Sequence, residues 1–461
     1  MTQPFTYSRF MSGTDALMHA FETDPSMRTA GVGLFLLTSP PDRAELTRRI
    51  ELLTRVVPRF RHKVVEVPLG LSSPRYVVDP QFDIAYHLRW LALPQRSTMR
   101  DLLDYVQIQQ VQDLDKHRAQ WEVTVIEGLP DGAAALLFKA SHTLTDAVGG
   151  LAMLSPLFDG MTPDSGTDLP APEGEHLSAL DLIREGVQNE LRFAAGTARA
   201  VGAKAAATLR NPVSSVIGAA RAVRGIGQVM VSSSGQGSSL TTDRSLSVRC
   251  DIVSRPIAEL KAAGKAGGGK LNDAFVAAAA GGMRLYHERH GAPVGDLTMI
   301  MPINIRDDKT ETEAGNRWVI VKLAVPVGEP DPATRIELIR QRSELARGES
   351  GLELFTSLAE VLTRMPPQLV LPAYKAGMAR GLDLGTSNVP GPPFGLSICG
   401  ADISKLLLFG PIGAVPANLT LVSYADNVDV AVQTNAGAIP DGDVFVECLE
   451  RGFDEVLALA R

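Results

Sequence analysis

Cysteine is scarce in this chain of 461 residues: there are three, Cys250, Cys399 and Cys448, far apart and odd in number. Such a set supports neither a disulfide framework nor a cysteine zinc cluster, and it fits a reducing compartment. Long apolar runs are also missing. No window approaches the roughly 18 uninterrupted apolar residues of a membrane span, and Met1 to Ala20 has no basic segment followed by an apolar core, so no signal peptide is expected. Basic excess is absent too: the net charge of -7 argues against a nucleic-acid partner. The expected setting is the cytosol or the surface of a membrane. With 45% hydrophobic and 21% charged residues the chain is globular, and its length points to two domains of about 200 residues.

The first third alternates strands and helices. Ala30 to Leu37 reads as a strand, and Pro41-Asp42 opens a helix with Leu46, Ile50, Leu53 and Val57 on one face. The basic run Arg55 to Lys63 then reads as a solvated helix end. Asp83 to Leu91 is extended, and a long amphipathic helix follows from Thr98 to Leu114. Trp121 to Ile126 alternates with period two, turns through Leu129-Pro-Asp-Gly132, and leads into the apolar run Ala133 to Phe138. An antiparallel hairpin is the simplest arrangement of these two strands.

That second strand ends in Ser141-His142-Thr-Leu-Thr-Asp146-Ala147 and re-enters helix at Val148 to Phe158, with Thr145 or Asp146 as N-cap. A histidine fixed at a strand end, four residues before an aspartate, suits proton transfer: the imidazole cannot swing and a carboxylate is near. A core histidine followed by a capping aspartate accounts for the same residues.

Between Gly160 and Glu175 the chain is rich in Pro, Gly, Asp and Ser, a linker composition, and Leu177 to Leu209 is Ala-rich and helical. From Leu191 to Thr242 the only charges are Arg192, Arg199, Lys204, Arg210, Arg221 and Arg224. This basic, apolar segment reads either as a crossover facing anionic lipid or an anionic ligand, or as a solvated linker helix.

The second half opens with a strand, Ser245 to Val253, and a helix, Pro256 to Ala263. Gly264 to Lys270 nearly matches a phosphate loop, but Leu271 occupies the Ser/Thr position and a helix precedes it, so a glycine-rich helix terminus explains it better. Leu271-Asn272-Asp273 then caps a long Ala-rich helix to about Arg289. His287 and His290 are three apart rather than the four of a zinc pair. Met299 to Ile305, Val319 to Val325, Leu406 to Gly410, Leu419 to Tyr424 and Val428 to Gln433 are strands. Pro332 to Ala346, Leu352 to Met365 and Asp441 to Ala460 are helices, and Thr386 to Pro393 reads as a polar turn. Strands mixed with long helices in both halves imply two α/β domains meeting across a cleft.

A set of motifs in order carries a family resemblance: Ser12-Gly-Thr-Asp15-Ala16, Val57-Pro-Arg-Phe-Arg61, Leu114-Asp115 with Trp121-Glu122, Ser141-His142 through Ala147, Leu271-Asn272-Asp273, Met301-Pro302 to Arg306, Gly315-Asn316, Ser387-Asn388-Val-Pro-Gly391-Pro392 and Gly410-Pro411-Ile412. Over nearly its whole length the chain resembles the bacterial wax ester synthase/diacylglycerol acyltransferase family of the CoA-dependent acyltransferase superfamily. The resemblance implies two chloramphenicol-acetyltransferase-like halves, 1–160 and 245–461, joined by a helical crossover over 161–244, with a substrate tunnel between them. It implies acyl-CoA as co-substrate, a lipid alcohol as acceptor, no metal or other cofactor, and a membrane or lipid-droplet surface as a partner. His142 matches the general base of the family's HHxxxDG motif. Asp146 matches its structural aspartate, Arg306 the arginine that pairs with it, and Asn272 a residue placed to steady the oxyanion or substrate. Three departures stand out: Ser141 replaces the first histidine, Ala147 replaces the glycine, and Ala119-Gln120-Trp121 reduces a Pro-Leu-Trp segment. They leave two other readings open, a non-catalytic acyl-CoA-binding paralogue and an enzyme acylating a different alcohol or amine.

Overall fold

The computed structural model describes residues 7–461 apart from 95, 145–146, 162–168, 211–236, 305–317, 347–370, 373–380, 412 and 414. The chain begins with α1 (Gly13–Phe21), β1 (Ala30–Leu37) and α2 (Arg43–Val56), followed by the hairpin β2 (His62–Val65) and β3 (Arg75–Val78). A single helical turn, α3 (Ile84–His87), leads into β4 (Leu88–Ala92). Next come α4 (Met99–Val111), β5 (Trp121–Glu127), β6 (Ala134–Ser141), α5 (Ala147–Met153) and the long crossover helix α6 (Ala179–Arg210). The second half comprises β7 (Val248–Pro256), α7 (Ile257–Ala266), α8 (Leu271–Arg289), β8 (Asp296–Asn304), β9 (Trp318–Pro326) and α9 (Pro332–Ala346). It continues through β10 (Leu384–Pro390), β11 (Ser397–Ile398), β12 (Ala401–Phe409), β13 (Ala417–Tyr424), β14 (Asn427–Asn435) and α10 (Gly442–Leu457).

Two six-stranded sheets organise these elements, in the orders β11-β12-β1-β6-β5-β4 and β7-β14-β13-β10-β8-β9. β5 and β6 form the expected antiparallel hairpin, with Trp121 opposite Ala140. β11 and β12 come from the second half of the chain but complete the first sheet: β12 pairs with β1, Val32 opposite Phe409. The two halves are therefore stitched together by backbone hydrogen bonds as well as by the crossover.

The crossing strand merges their interiors. One apolar core gathers Val32, Leu34, Leu102, Val106 and Leu137 from the first half with Cys250, Leu407, Phe409 and Ala431 from the second. At about 25 cal/mol per Å² of apolar surface, such a shared core resists separation of the halves. The other face of the second sheet packs on α8, whose Ala-rich run Ala274 to Ala280 is almost fully buried. α10 crosses α8 closely because Gly452 lacks a side chain; a Cβ there would collide with the Ala278 carbonyl.

Three sequence expectations are overturned. Thr386 to Pro390 lies in β10, an interior strand parallel to both β13 and β8, rather than in a turn. Its polar residues are tolerated because they find partners: Thr386 Oγ1 donates to Met299 Sδ at 3.3 Å and Asn388 bonds Asn272. The basic run at 55–63 is not a solvated end either. Arg59 and Arg61 are buried at 6% and 9% exposure, because the 3-10 turn Pro58–Arg61 tucks both inward. Arg61 donates to Thr54 Oγ1 at 2.9 Å and to Glu51 Oε1 at 2.6 Å, while Arg59 lies 3.4 Å over the Tyr76 ring. Asp83 to Leu91, expected to be extended, holds the helical turn α3 before β4, with the Asp83 carboxylate accepting from Ala85 N. The helix expected over Leu352 to Met365 lies outside the described residues.

Candidate active site

β6 delivers its C-terminal end to the middle of the first sheet, between β1 and β5. His142 is the first residue beyond it, half-buried in the turn that leads to α5. That turn is held on both sides of the histidine. Before it, Ser141 N donates to Gln120 O at 3.0 Å, and the Ser141 hydroxyl donates to Glu22 Oε1 at 3.1 Å. Ser141 Oγ also accepts from Thr143 N at 3.2 Å and lies 3.0 Å from Thr143 Oγ1. After it, Leu144 N closes onto Ser141 O at 3.0 Å. The Tyr76 hydroxyl donates to Thr143 O at 2.7 Å.

Each of these anchors is itself fixed. Glu22, just past α1, accepts a second bond from the buried Thr29 hydroxyl at the start of β1. Tyr76 is clamped on its ring face by Arg59, whose guanidinium donates to Ser8 O at 3.2 Å. Burial pushes the Tyr76 phenol well above its ordinary value, so it stays protonated as a donor. The serine in place of a motif histidine thus joins a hydrogen-bonded lattice of its own.

Under the strand lies a second buried group. Lys139, 1% exposed, donates from Nζ to Gln112 O at 2.7 Å and stands opposite Glu122 in the ladder. Burial pulls its ammonium down to about 8, partly opposed by Glu122 and Asp113. Glu122 is itself held by a two-point contact from Arg89 at 2.9 and 3.0 Å.

The second half approaches through β10, against which α5 packs. Asn272 stands in the first turn of α8, where the Asp273 carboxylate caps the helix by accepting from Lys270 N at 2.8 Å. Asn272 Oδ1 accepts from Asn388 Nδ2 of β10 at 3.3 Å, and its own amide meets Met301 Sδ of β8 at 3.5 Å. Its carbonyl is engaged, while its amide hydrogens face only a weak sulfur acceptor, so the side chain retains donor capacity. Of the four residues expected at the site, His142 lies in the turn before α5, which packs on β10, and Asn272 is bonded to β10 through Asn388. Asp146 and Arg306 lie outside the described residues. Glu22, Thr29 and Tyr76 carry no local sequence pattern, because they join the site only through tertiary contacts. Arg59 and Asn388 stand inside the Val57-Pro-Arg-Phe-Arg61 and Ser387-Asn388-Val-Pro-Gly391-Pro392 motifs, whose pattern alone gives them no role.

The architecture is that of a two-unit chloramphenicol-acetyltransferase-like protein. It matches the wax ester synthase/diacylglycerol acyltransferase from Marinobacter aquaeolei VT8 with a TM-score of 0.64 at 21% identity, over 98% of this chain and 99% of that one. It matches the first condensation domain of the CDA synthetase with a TM-score of 0.61 at 15% identity, over 99% and 97%. At these identities the matches establish the fold alone. The family is shown by sequence. Residues 11–275 match the wax ester synthase/diacylglycerol acyltransferase catalytic domain, and residues 314–456 match the WS/DGAT C-terminal domain. A Mycobacterium tuberculosis protein bearing a diacylglycerol O-acyltransferase name is 34% identical over 451 residues, 97% of this chain and 91% of that protein. Another from the same organism, tgs1, is 24% identical over 454 residues, 96% and 94% of the two chains. The chain belongs to the wax ester synthase/diacylglycerol acyltransferase family and is an acyltransferase.

Proposed function

We propose that this protein moves a long-chain fatty acyl group from acyl-CoA to a lipid alcohol, either diacylglycerol, giving triacylglycerol, or a fatty alcohol, giving a wax ester. His142 acts as general base. It takes the proton from the acceptor hydroxyl as that oxygen attacks the thioester carbonyl, and returns it to the departing CoA thiolate as the C–S bond breaks. Asp146 pairs with Arg306 of the second half and orients the loop. An Asn272 N–H steadies the tetrahedral oxyanion. The observation that carries this reading is the immobilised turn on both sides of His142, since a general base must be pre-positioned to act.

The acceptor and product are lipids, and the surface suits a lipid interface. On α6 two of the acidic side chains turn inward, since Glu185 pairs with buried Arg75 at 2.8 Å and Glu190 accepts from Ser72 at 2.8 Å, while Asp181 in the first turn stays exposed and accepts from Ser178. The outward positions carry Leu180, Arg184, Val187, Leu191 and Arg192. The loop Pro68–Gly70, which packs against α6, carries Leu69 at 89% exposure. Apolar side chains interleaved with arginines fit an anionic lipid surface. No helix among the described residues is long and apolar enough to cross a membrane.

The test is release of free CoA from palmitoyl-CoA, with diacylglycerol and hexadecanol as separate acceptors, for wild type beside His142→Ala. Acceptor-dependent release that vanishes in the folded variant is expected. Release undiminished by the substitution would remove His142 from its role. Tight acyl-CoA binding without release to either alcohol would favour the binding paralogue or another acceptor.

A further inference from the structure

At the sheet end that carries His142, a second cluster of polar side chains is buried where the two halves meet. Ala30 of β1 stands opposite Ser141, and Gly410 follows the end of β12, the next strand across. Gln110, near the end of α4 and 0% exposed, spans this edge: its amide donates to Ala30 O at 2.8 Å and to Gly410 O at 3.0 Å. From the second sheet, Gln433 Nε2 donates to Gly410 O at 3.1 Å, and Asn418 Nδ2 reaches Gln433 Oε1 and Pro411 O, each at 3.4 Å. Thr420 lies one inward-facing position along β13 from Asn418 and is 3% exposed. Gly410 lies at the centre of this corner: a Cβ there would stand 3.0 Å from Asn418 Nδ2 and 3.5 Å from Thr420 Oγ1.

Two atoms of the cluster have no hydrogen-bond partner among the described residues, Gln110 Oε1 and Thr420 Oγ1. A buried acceptor and a buried hydroxyl left unsatisfied forfeit their hydration without return, so such groups call for an occupant. Their chemistry specifies it. Both Gln110 amide hydrogens are spent on backbone carbonyls, so its free atom can only accept, while Thr420 can donate. The complementary group brings one donor and one acceptor, as a secondary amide does. Its place agrees. The Ala30 and Gly410 carbonyls that Gln110 holds lie one and two strand spacings, about 5–10 Å, from the strand that bears His142. In a CoA thioester the two pantetheine amide nitrogens stand three and seven bonds from the sulfur, about 4 and 9 Å along an extended chain. The reacting hydroxyl is bound to be nearer, because its proton goes to His142.

We infer that Gln110 Oε1 and Thr420 Oγ1 form a subsite for a pantetheine amide of the acyl-CoA. The inference rests on the acyl-CoA reading above. The test uses the full-length protein and Thr420→Val, which removes the hydroxyl at nearly constant shape. Equilibrium binding of palmitoyl-CoA is measured without acceptor, beside KM and kcat for palmitoyl-CoA and for the palmitoyl thioester of ethanethiol, which has no amide. The expected result is about fivefold weaker binding and higher KM for palmitoyl-CoA, the loss of one neutral hydrogen bond. Expected alongside it are an unchanged kcat, no effect with the ethanethiol ester, and recovery in Thr420→Ser. Undiminished palmitoyl-CoA binding by folded Thr420→Val would overturn the subsite alone. So would an equal loss with both thioesters, a raised KM for the alcohol only, or a change confined to stability, the mark of a structural water. Failure of the wild type to bind palmitoyl-CoA at all would overturn the acyl-CoA reading together with the subsite.

Discussion

The Ser141 hydroxyl donates to the Glu22 carboxylate at 3.1 Å, and the same carboxylate accepts from Thr29 at the start of the neighbouring strand. Hydrogen bonds to a charged acceptor are worth about 1.5–3 kcal/mol. Ser141→Ala should therefore lower kcat about tenfold by loosening the turn that carries His142. KM for acyl-CoA should hold, because Ser141 does not reach the thioester in the proposed mechanism. Ser141→Thr, which keeps the hydroxyl, should recover most of the rate. Steady-state kinetics of both variants checks this. A Ser141→Ala enzyme with full kcat would make the lattice around Glu22 purely structural.

Tyr76 supports the other side of the turn through Thr143 O at 2.7 Å. Tyr76→Phe leaves that buried carbonyl without its donor while preserving the ring under Arg59. The expected cost is about 1–2 kcal/mol in stability, read from urea unfolding, together with a several-fold drop in kcat. Arg59→Leu should be worse in both measurements, because it also strips the cation from two tyrosine rings, Tyr7 and Tyr76.

Much of the fold is legible in local pattern. Ala30–Leu37 and Pro332–Ala346 fall where period and capping residues put them, and the Pro-Asp-Gly turn does join an antiparallel pair that presents His142 at its end. What local pattern cannot carry is the choice of distant partners. β12 has the alternation of a strand, yet nothing within it says that it pairs with β1 across some 370 residues of chain rather than with its neighbours in sequence. Thr386 to Asn388 looks like a turn because three polar residues precede Val-Pro-Gly, and it becomes a strand once Met299 and Asn272 accept from Thr386 and Asn388. Arg59 looks solvated because its partners, Ser8 and Tyr76, lie 51 and 17 positions away. For the candidate site, His142 is marked by its place at a strand end before an aspartate, and Asn272 by the family resemblance alone. The residues that hold His142 are marked by neither, because each acts through a contact that exists only after folding.

Arg100 ties the two halves at a point well away from His142. It donates to Asp251 Oδ1 at 2.7 Å and to Cys250 O at 2.8 Å, joining α4 of the first half to β7 of the second. Arg100 is one-third exposed, so solvent screens part of this attraction. Arg100→Ala should cost about 1 kcal/mol in urea unfolding. Asp251→Asn should share most of that loss, so that the double variant is less destabilised than the sum. Strict additivity would mean that the pair contributes nothing as a pair.

Lys139 sets a pH dependence of stability. Its folded-state value, about 8, lies below the ordinary 10.5 because burial disfavours the ammonium. Below pH 8 both folded and unfolded chains hold the proton, and the full burial cost is present. Between about 8 and 10.5 the unfolded chain binds a proton that the folded chain has released, so stability rises with pH across that window. The upper limit of the effect is about 3 kcal/mol, from the difference in the two values. Lys139→Met, which keeps the stem and removes the charge, should therefore be more stable than wild type at pH 7, by about 2 kcal/mol after the bond to Gln112 O is lost. The advantage should shrink towards pH 10. Urea unfolding of both proteins at pH 7 and pH 10 decides it. A variant less stable than wild type at pH 7 would show that Glu122, Asp113 and Gln112 together outweigh the cost of burying the ammonium.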